Sequence, residues 1–395
     1  MGVLMRQSQD NILNRRIKVM RIIARMNVGG PAVQVSGLMR GLSTTEFDHR
    51  LYTGYCSDDE ADYIKEQAPD IQAIQLDGLG RKVSPRADFF ILFKLIREIR
   101  EFKPDVIHTH TAKAGFLGRF ASIVSLHPSI RVHTFHGHLL NGYFGYFKRS
   151  LVVLAEKLLS TFTDQLLAVG DKVRQDLLAV GVGKLENFGL MPPGLEIGDL
   201  PSKKDSQELY GLSQQAIQCA FIGRVTQIKR PDRFLDVVGE TKRRGVPIEF
   251  FMAGDGELLQ NCRERIARED LPVKILGWQS NLEQILSAAD VVILTSDSEG
   301  TPLSLIQAGM AGLPVVTTRV GSVPEVILDG LTGILTGFDV EEIADALEKL
   351  VNEKALRNSM GDAAKEFTLA NFGVQRLVND HEELYRNLIA SRANS

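Results

Sequence analysis

Glu299 stands in the run Thr295-Ser-Asp-Ser-Glu-Gly-Thr-Pro-Leu-Ser-Leu-Ile-Gln307, directly after the apolar stretch Val291–Leu294. The apolar stretch reads as a buried strand and the residues from about Pro302 as a short helix, so the acid falls in the turn between them. In open α/β sheets ligands bind beyond the carboxyl ends of the strands, and a helix start there presents unpaired N–H groups to an anion. A carboxylate, the turn Gly300, Thr301, Pro302, Leu303 and the amide of Gln307 therefore gather round one point, which suits a phosphorylated sugar. A plainer role for Glu299 is a helix-start carboxylate favoured by the dipole, although the run carries more polar groups than capping requires.

A second constellation, Gly223-Arg224-Val-Thr-Gln-Ile-Lys229-Arg230-Pro231, follows the strand-like Ile217–Ile222. Arg224 brings a planar fork and Lys229 a compact charge to a strand-to-helix loop, where a diphosphate would sit. Alone, they would be read as solvated surface cations; the acidic site in the same half shifts the balance. Gly29-Gly30 also joins a strand to a helix and lets backbone approach a ligand, but it lacks the GxGxxG pattern and an acidic ribose partner. His136 ends the apolar run of Arg131-Val-His-Thr-Phe-His beside Gly137, placed to hydrogen-bond a hydroxyl or meet developing charge. A satisfied interior histidine is the competing reading there, and His108 and His110 look structural. Tyr143, Phe144, Tyr146 and Phe147 stand next to Lys148 and Arg149, a mixture suited to a membrane interface or to packing on the parent domain.

These groups need a scaffold of two similar halves. With 395 residues the chain exceeds one ordinary core, so two domains are expected. A net charge of −3 gives no reason to expect nucleic acid as a partner. Apolar runs such as Phe89–Phe93 are too short to span a bilayer, and the start of the chain lacks the apolar core of a signal peptide, which makes the expected location cytoplasmic. Cys56, Cys219 and Cys262 form neither a disulfide framework nor a metal cluster, and no histidine pair has metal spacing on a helix, so no metal is expected.

Strand-like runs at 17–24, 49–53, 71–76, 105–110, 131–136 and 165–169 alternate with helical patterns at 32–42, 88–102, 113–125 and 147–162. After a Pro/Gly-rich stretch the alternation restarts with strands at 217–222, 248–253, 273–276, 291–294 and 314–317. This pattern implies βαβ units and mostly parallel sheets. The expected fold is α/β: two Rossmann-like domains facing across a cleft. The expected order is a polar extension (1–16), a first domain (17–190), a hinge (191–206) and a second domain (207–373), with a terminal helix at about 374–390 returning to the first. The helix containing Phe89 and Phe93 reads as core, with Lys94, Arg97 and Arg100 free for surface docking.

With these residues in place, the chain resembles retaining GT-B glycosyltransferases of family 4, of the type that builds surface polysaccharides or lipid-linked oligosaccharides. The resemblance runs from Ile17 to the terminal helix through an ordered set of markers. They are Gly29-Gly30, Asp105-Val-Ile-His-Thr-His110, His136-Gly137, Pro192-Pro-Gly194, Gly223-Arg224 with Lys229, Gly254-Asp-Gly256, Gly277-Trp278, Glu299-Gly300 and Gly312-Leu-Pro. It implies transfer of a sugar from a nucleotide-diphosphate donor, most simply a UDP-sugar, with retention and without a metal or other cofactor. The acceptor would be a glycan or lipid-linked molecule at the inner face of the plasma membrane. By position, Arg224 and Lys229 would hold the diphosphate, Glu299 the transferred sugar, and His136 would lie near the sugar ring. Gly30, Gly223, Gly254, Gly277 and Trp278 would border the donor. Gln307 departs from the family's second glutamate, which accepts from the ribose; an amide keeps one acceptor oxygen and loses the charge. The other readings are a GT-B sugar-nucleotide epimerase and a non-catalytic sugar-nucleotide-binding subunit.

Overall fold

A computed structural model describes residues 15–58, 60–137 and 146–393, the side chains of 146–149 excepted. Tyr143 and Phe144 lie outside the described residues, as do the side chains of Tyr146, Phe147, Lys148 and Arg149. The chain divides into two compact units: residues up to Gly194 together with those from Val374 onward, and Leu195–Gly373.

The first unit holds strands β1 (Ile17–Arg25), β2 (Phe47–Gly54), β3 (Ala73–Gln75), β4 (Val106–His110), β5 (Ile130–Phe135), β6 (Gln165–Ala168) and β7 (Phe188–Leu190). They form one sheet in the order β3-β2-β1-β4-β5-β6-β7, every pair parallel. The second unit holds β8 (Ile217–Ile222), β9 (Ile248–Ala253), β10 (Val273–Gly277), β11 (Val291–Leu294), β12 (Val315–Thr318) and β13 (Gly333–Thr336). Its order is β10-β9-β8-β11-β12-β13, again parallel throughout. Strands covered on both faces carry unbroken apolar runs; Val291-Val-Ile-Leu294 is buried at all four positions.

In both sheets the order of strand addition reverses once, between β1 and β4 and between β8 and β11. At such a switch point neighbouring loops diverge and leave a crevice beyond the strand ends. The loops after β8 and β11 carry Arg224, Lys229 and Glu299, so sequence-distant groups become neighbours.

Helix ends follow local chemistry. Pro231–Arg244 starts with Pro at its first position, ends in Lys242-Arg243-Arg244, and closes on Gly245 at φ +70°. Helix Val374–Ala393 joins the first unit, where Leu377, Val378 and Tyr385 share a core with Val19, Leu38, Phe47 and Val106. β7 (Phe-Gly-Leu) and β13 (Gly-Ile-Leu-Thr) escape the sequence reading because each is short and contains a glycine, which weakens its apolar run. Among the described residues no helix is long and apolar enough to cross a membrane.

Helix Pro85–Phe102 corrects one expectation: Phe89, Phe90 and Phe93 are exposed, and Ile91, Leu95, Ile96 and Ile99 turn inward instead.

Candidate functional site

In the second unit the loops after β8 and β11 are stitched together by their backbones. Asp297 N donates to Ile228 O at 2.9 Å, and Thr295 Oγ1 donates to the carbonyls of Lys229 and Arg230 at 3.2 and 3.0 Å. Arg233 Nη1 adds a bond to Thr295 O at 2.7 Å. Within this frame Lys229 Nζ donates to Glu299 Oε1 at 2.6 Å, and Ser296 Oγ donates to the same oxygen. Glu299 is 8% exposed. Both bonds fall on Oε1, and the acid lies ahead of Pro302, outside a helix that has no acid in its first turn and no side-chain cap. The helix-start reading of this acid is thereby corrected.

The turn is shaped from below by Gly321. A Cβ there would fall 1.8 Å from Glu299 O, and its φ of +52° is the left-handed region that favours glycine. Helix Leu303–Met310 begins at Pro302 with its first turn open, and Gly309 lets it approach helix Lys354–Phe372, where a Cβ would meet the Thr368 methyl at 2.5 Å. Gln307 is partly buried, and its amide makes no hydrogen bond among the described residues.

Gly223 N donates to Ala253 O at 3.0 Å and Gly254 N to Gly277 O at 2.8 Å, so three strand ends form one ledge. A Cβ on Gly254 would lie 1.9 Å from Gly223 O, whereas one on Gly223 or Gly277 would meet nothing within 4 Å. Gly254 thus supports the ledge, while Gly223 and Gly277 keep it bare. Arg224 is exposed on it and has no partner among the described residues. Trp278, next to Gly277, is 48% exposed.

In the first unit, Gly30 opens helix Gly30–Gly41 at the switch point, with Gly29 as an N-cap that offers no side chain. His136 follows β5 and lies with its Nε2 2.9 Å from His110 Nδ1. Burial pushes its imidazole pKa down to about 3, so the ring is neutral near pH 7. Behind it lies a cluster that sequence reasoning missed: Arg21, His108, His110, His381 and Tyr385, all fully buried. The signal was parity. Arg21 interrupts an apolar strand, His108 and His110 share one face of theirs, and the register pairs Arg21 with His108. A cavity of 460 Å³ lies elsewhere in this unit, lined by Tyr55, Cys56, Ser57, Asp58 and Gly78–Lys82, and holds none of the expected residues. No group of three His, Cys, Asp or Glu among the described residues is arranged to hold a metal ion.

Two parallel-sheet units of this kind define the GT-B fold. The chain superposes on the crystal structure of Anabaena HepE in complex with UDP and glucose with a TM-score of 0.78 at 18% identity, covering 93% of this chain and 99% of that one. Sucrose-phosphate synthase from Thermosynechococcus elongatus gives a TM-score of 0.77 at 18% identity, covering 95% and 100%. The family model "Glycosyltransferase Family 4" matches residues 28–197, and "Glycosyl transferases group 1" matches 202–367. The chain belongs to glycosyltransferase family 4. It is 26% identical, over 84% of its length and 87% of the relative's, to the UDP-Gal:alpha-D-GlcNAc-diphosphoundecaprenol alpha-1,3-galactosyltransferase of Escherichia coli. It is 20% identical to the capsular polysaccharide biosynthesis glycosyltransferase CapM of Staphylococcus aureus, over 84% and 93%.

Proposed function

We propose that the protein transfers a hexose from a UDP-sugar to a lipid-linked glycan in surface polysaccharide assembly, with retention and without a metal. The observation that carries this reading is the Lys229–Glu299 pair beside the bare Gly223-Arg224 ledge. Arg224 and Lys229 receive the diphosphate and offset charge on the leaving group; such fixed charges act on the transition state without reorganising. Glu299, already oriented by Lys229 and Ser296, accepts from hydroxyls of the transferred sugar. Gln307 meets the ribose and Trp278 borders the base. A departing phosphate that takes the acceptor's proton leaves no step requiring a protein base. The donor and acceptor named for the Escherichia coli relative support the choice of UDP and of a lipid-linked acceptor.

The test is calorimetric binding of UDP-, GDP- and ADP-sugars. UDP-sugars should bind, and Arg224→Ala should weaken binding by about tenfold, the worth of one charged hydrogen bond. Equal binding by Arg224→Ala refutes the diphosphate assignment.

We also infer contact with an anionic lipid surface, supported by an apolar face on adjacent helices of the first unit. Helix Ala112–Ser125 exposes only Phe116, Phe120 and Val124, and it packs against both helix Pro85–Phe102 and helix Tyr146–Ser160. These neighbours expose Phe89, Phe90 and Phe93 on one side and Leu151, Leu154 and Leu158 on the other. Arg86, Lys94 and Lys157, on the two flanking helices, have no carboxylate partner among the described residues. Apolar bodies flanked by cations suit the headgroup boundary.

A further inference from the structure

Arg21 sits at the centre of β1, fully buried, and makes no ion pair among the described residues. Its guanidinium reaches two imidazoles and a phenol. Nη1 lies 3.4 Å from His108 Nδ1 and 3.3 Å from His110 Nε2, while Nη2 donates to the Tyr385 hydroxyl at 3.3 Å. A guanidinium has N–H donors, no acceptor, and keeps its proton. Both imidazole nitrogens that face it must therefore be lone-pair acceptors, or N–H would point at N–H.

The remaining protons follow by elimination. His108 Nδ1 also receives the Tyr385 hydroxyl at 2.6 Å, which leaves its proton on Nε2, 2.7 Å from Thr134 Oγ1. His110, with Nε2 turned to Arg21, carries its proton on Nδ1. That N–H meets His136 Nε2 at 2.9 Å. His136 is an acceptor at Nε2, so its own proton sits on Nδ1, which makes no hydrogen bond to a described residue. Stacking holds the register of the chain: the His108 and His110 ring centroids are 4.3 Å apart, and His381 packs 5.6 Å from His108. Burial keeps His108 and His110 neutral, so protonation does not scramble the pattern.

We propose that Arg21 and His110 are positioning residues: Arg21 sets the tautomer of His110, and His110 sets that of His136, which then presents Nδ1–H as a hydrogen-bond donor to a sugar oxygen. The sugar in this statement rests on the reading of His136 as a ligand-facing group; the tautomer lock does not. In this state the ring has no free lone pair toward the ligand. It donates, and it cannot serve as a general base without breaking its bond to His110.

The experiment is long-range proton–nitrogen NMR on the full chain labelled with ¹⁵N-histidine at pH 7.5, the His136 signals being assigned by their loss in His136→Gln. The wild-type ring should show a protonated Nδ1 and an unprotonated Nε2. Arg21→Met and His110→Phe should each abolish Nδ1–H as the dominant form. His110→Asn, whose amide can donate to the same nitrogen, should restore it. A protonated Nε2 in the wild type, which needs no variant to fold, overturns the proposal, and so does an unchanged His136 signature in both disruptive variants. If the tautomers behave as stated while His136→Ala leaves UDP-sugar turnover unchanged, the ligand-facing reading fails and the lock stands.

Discussion

Lys229 Nζ and Glu299 Oε1 are 2.6 Å apart, with side chains only 16% and 9% exposed. Breaking a buried pair strands the remaining charge, whereas removing both charges can be nearly neutral. Lys229→Met should therefore cost about 2 kcal/mol in urea unfolding, below the full buried-pair loss because the lysine retains some water. The double variant Lys229→Met/Glu299→Gln should recover most of that. If the two single losses simply add, the side chains act independently in the fold.

Gln307 offers one acceptor oxygen where a carboxylate would offer two and a charge. Gln307→Glu should tighten UDP binding by about fivefold or more in calorimetry. An unchanged Kd would remove the ribose from this position.

Gly321 and Gly330 both have positive φ, at +52° and +76°, but only the first faces an obstacle, the Glu299 carbonyl. Gly330→Ala should lose about 1 kcal/mol from backbone strain alone. Gly321→Ala should lose clearly more and weaken UDP binding as the Glu299 turn shifts. Equal losses would show that the turn yields freely.

Four fully buried histidines, His108, His110, His133 and His381, have pKa values pushed below the ordinary 6.5 by burial, His381 to about 3. Their charged forms are disfavoured in the fold, so below pH 6.5 the unfolded chain takes up protons that the folded one refuses. Stability is full above 6.5 and falls as pH drops toward 3, by up to about 1.4 kcal/mol per pH unit for each ring. Denaturant titrations of the wild type between pH 7.5 and 4.5 should show this fall. A flat profile contradicts neutral buried imidazoles.

Phe90 and Phe93 lie on the exposed side of helix Pro85–Phe102. The double variant Phe90→Ser/Phe93→Ser should reduce sedimentation with vesicles containing phosphatidylglycerol while leaving UDP affinity unchanged. Binding that is equal on zwitterionic vesicles, or indifferent to the serines, would refute the lipid contact.

Much of the scaffold was legible because buried parallel strands are apolar on both faces; β8, β9 and β11 could be read to the residue. What stayed hidden depended on pairing. Lys229 and Glu299 are 70 residues apart and meet only because β8 and β11, not consecutive in the chain, are neighbours. Arg21 is one residue of the strand-like run 17–24, and only the register, which aligns it with His108, gives it a role. Phe89 and Phe93 are equally apolar on an inward or an outward face, and composition alone could not choose. Gln307 was legible as a departure because its neighbours keep the pattern.

The return of helix Val374–Ala393 to the first unit has a consequence for biosynthesis. Tyr385 and His381 complete the buried cluster around Arg21, and Leu377 and Val378 fill the core beside Val19 and Phe47. These residues are translated only after the whole of Leu195–Gly373. During synthesis the first unit must wait with an open hydrophobic seam and an uncovered guanidinium while the second folds, so completion of the earlier half is coupled to the later one on the ribosome.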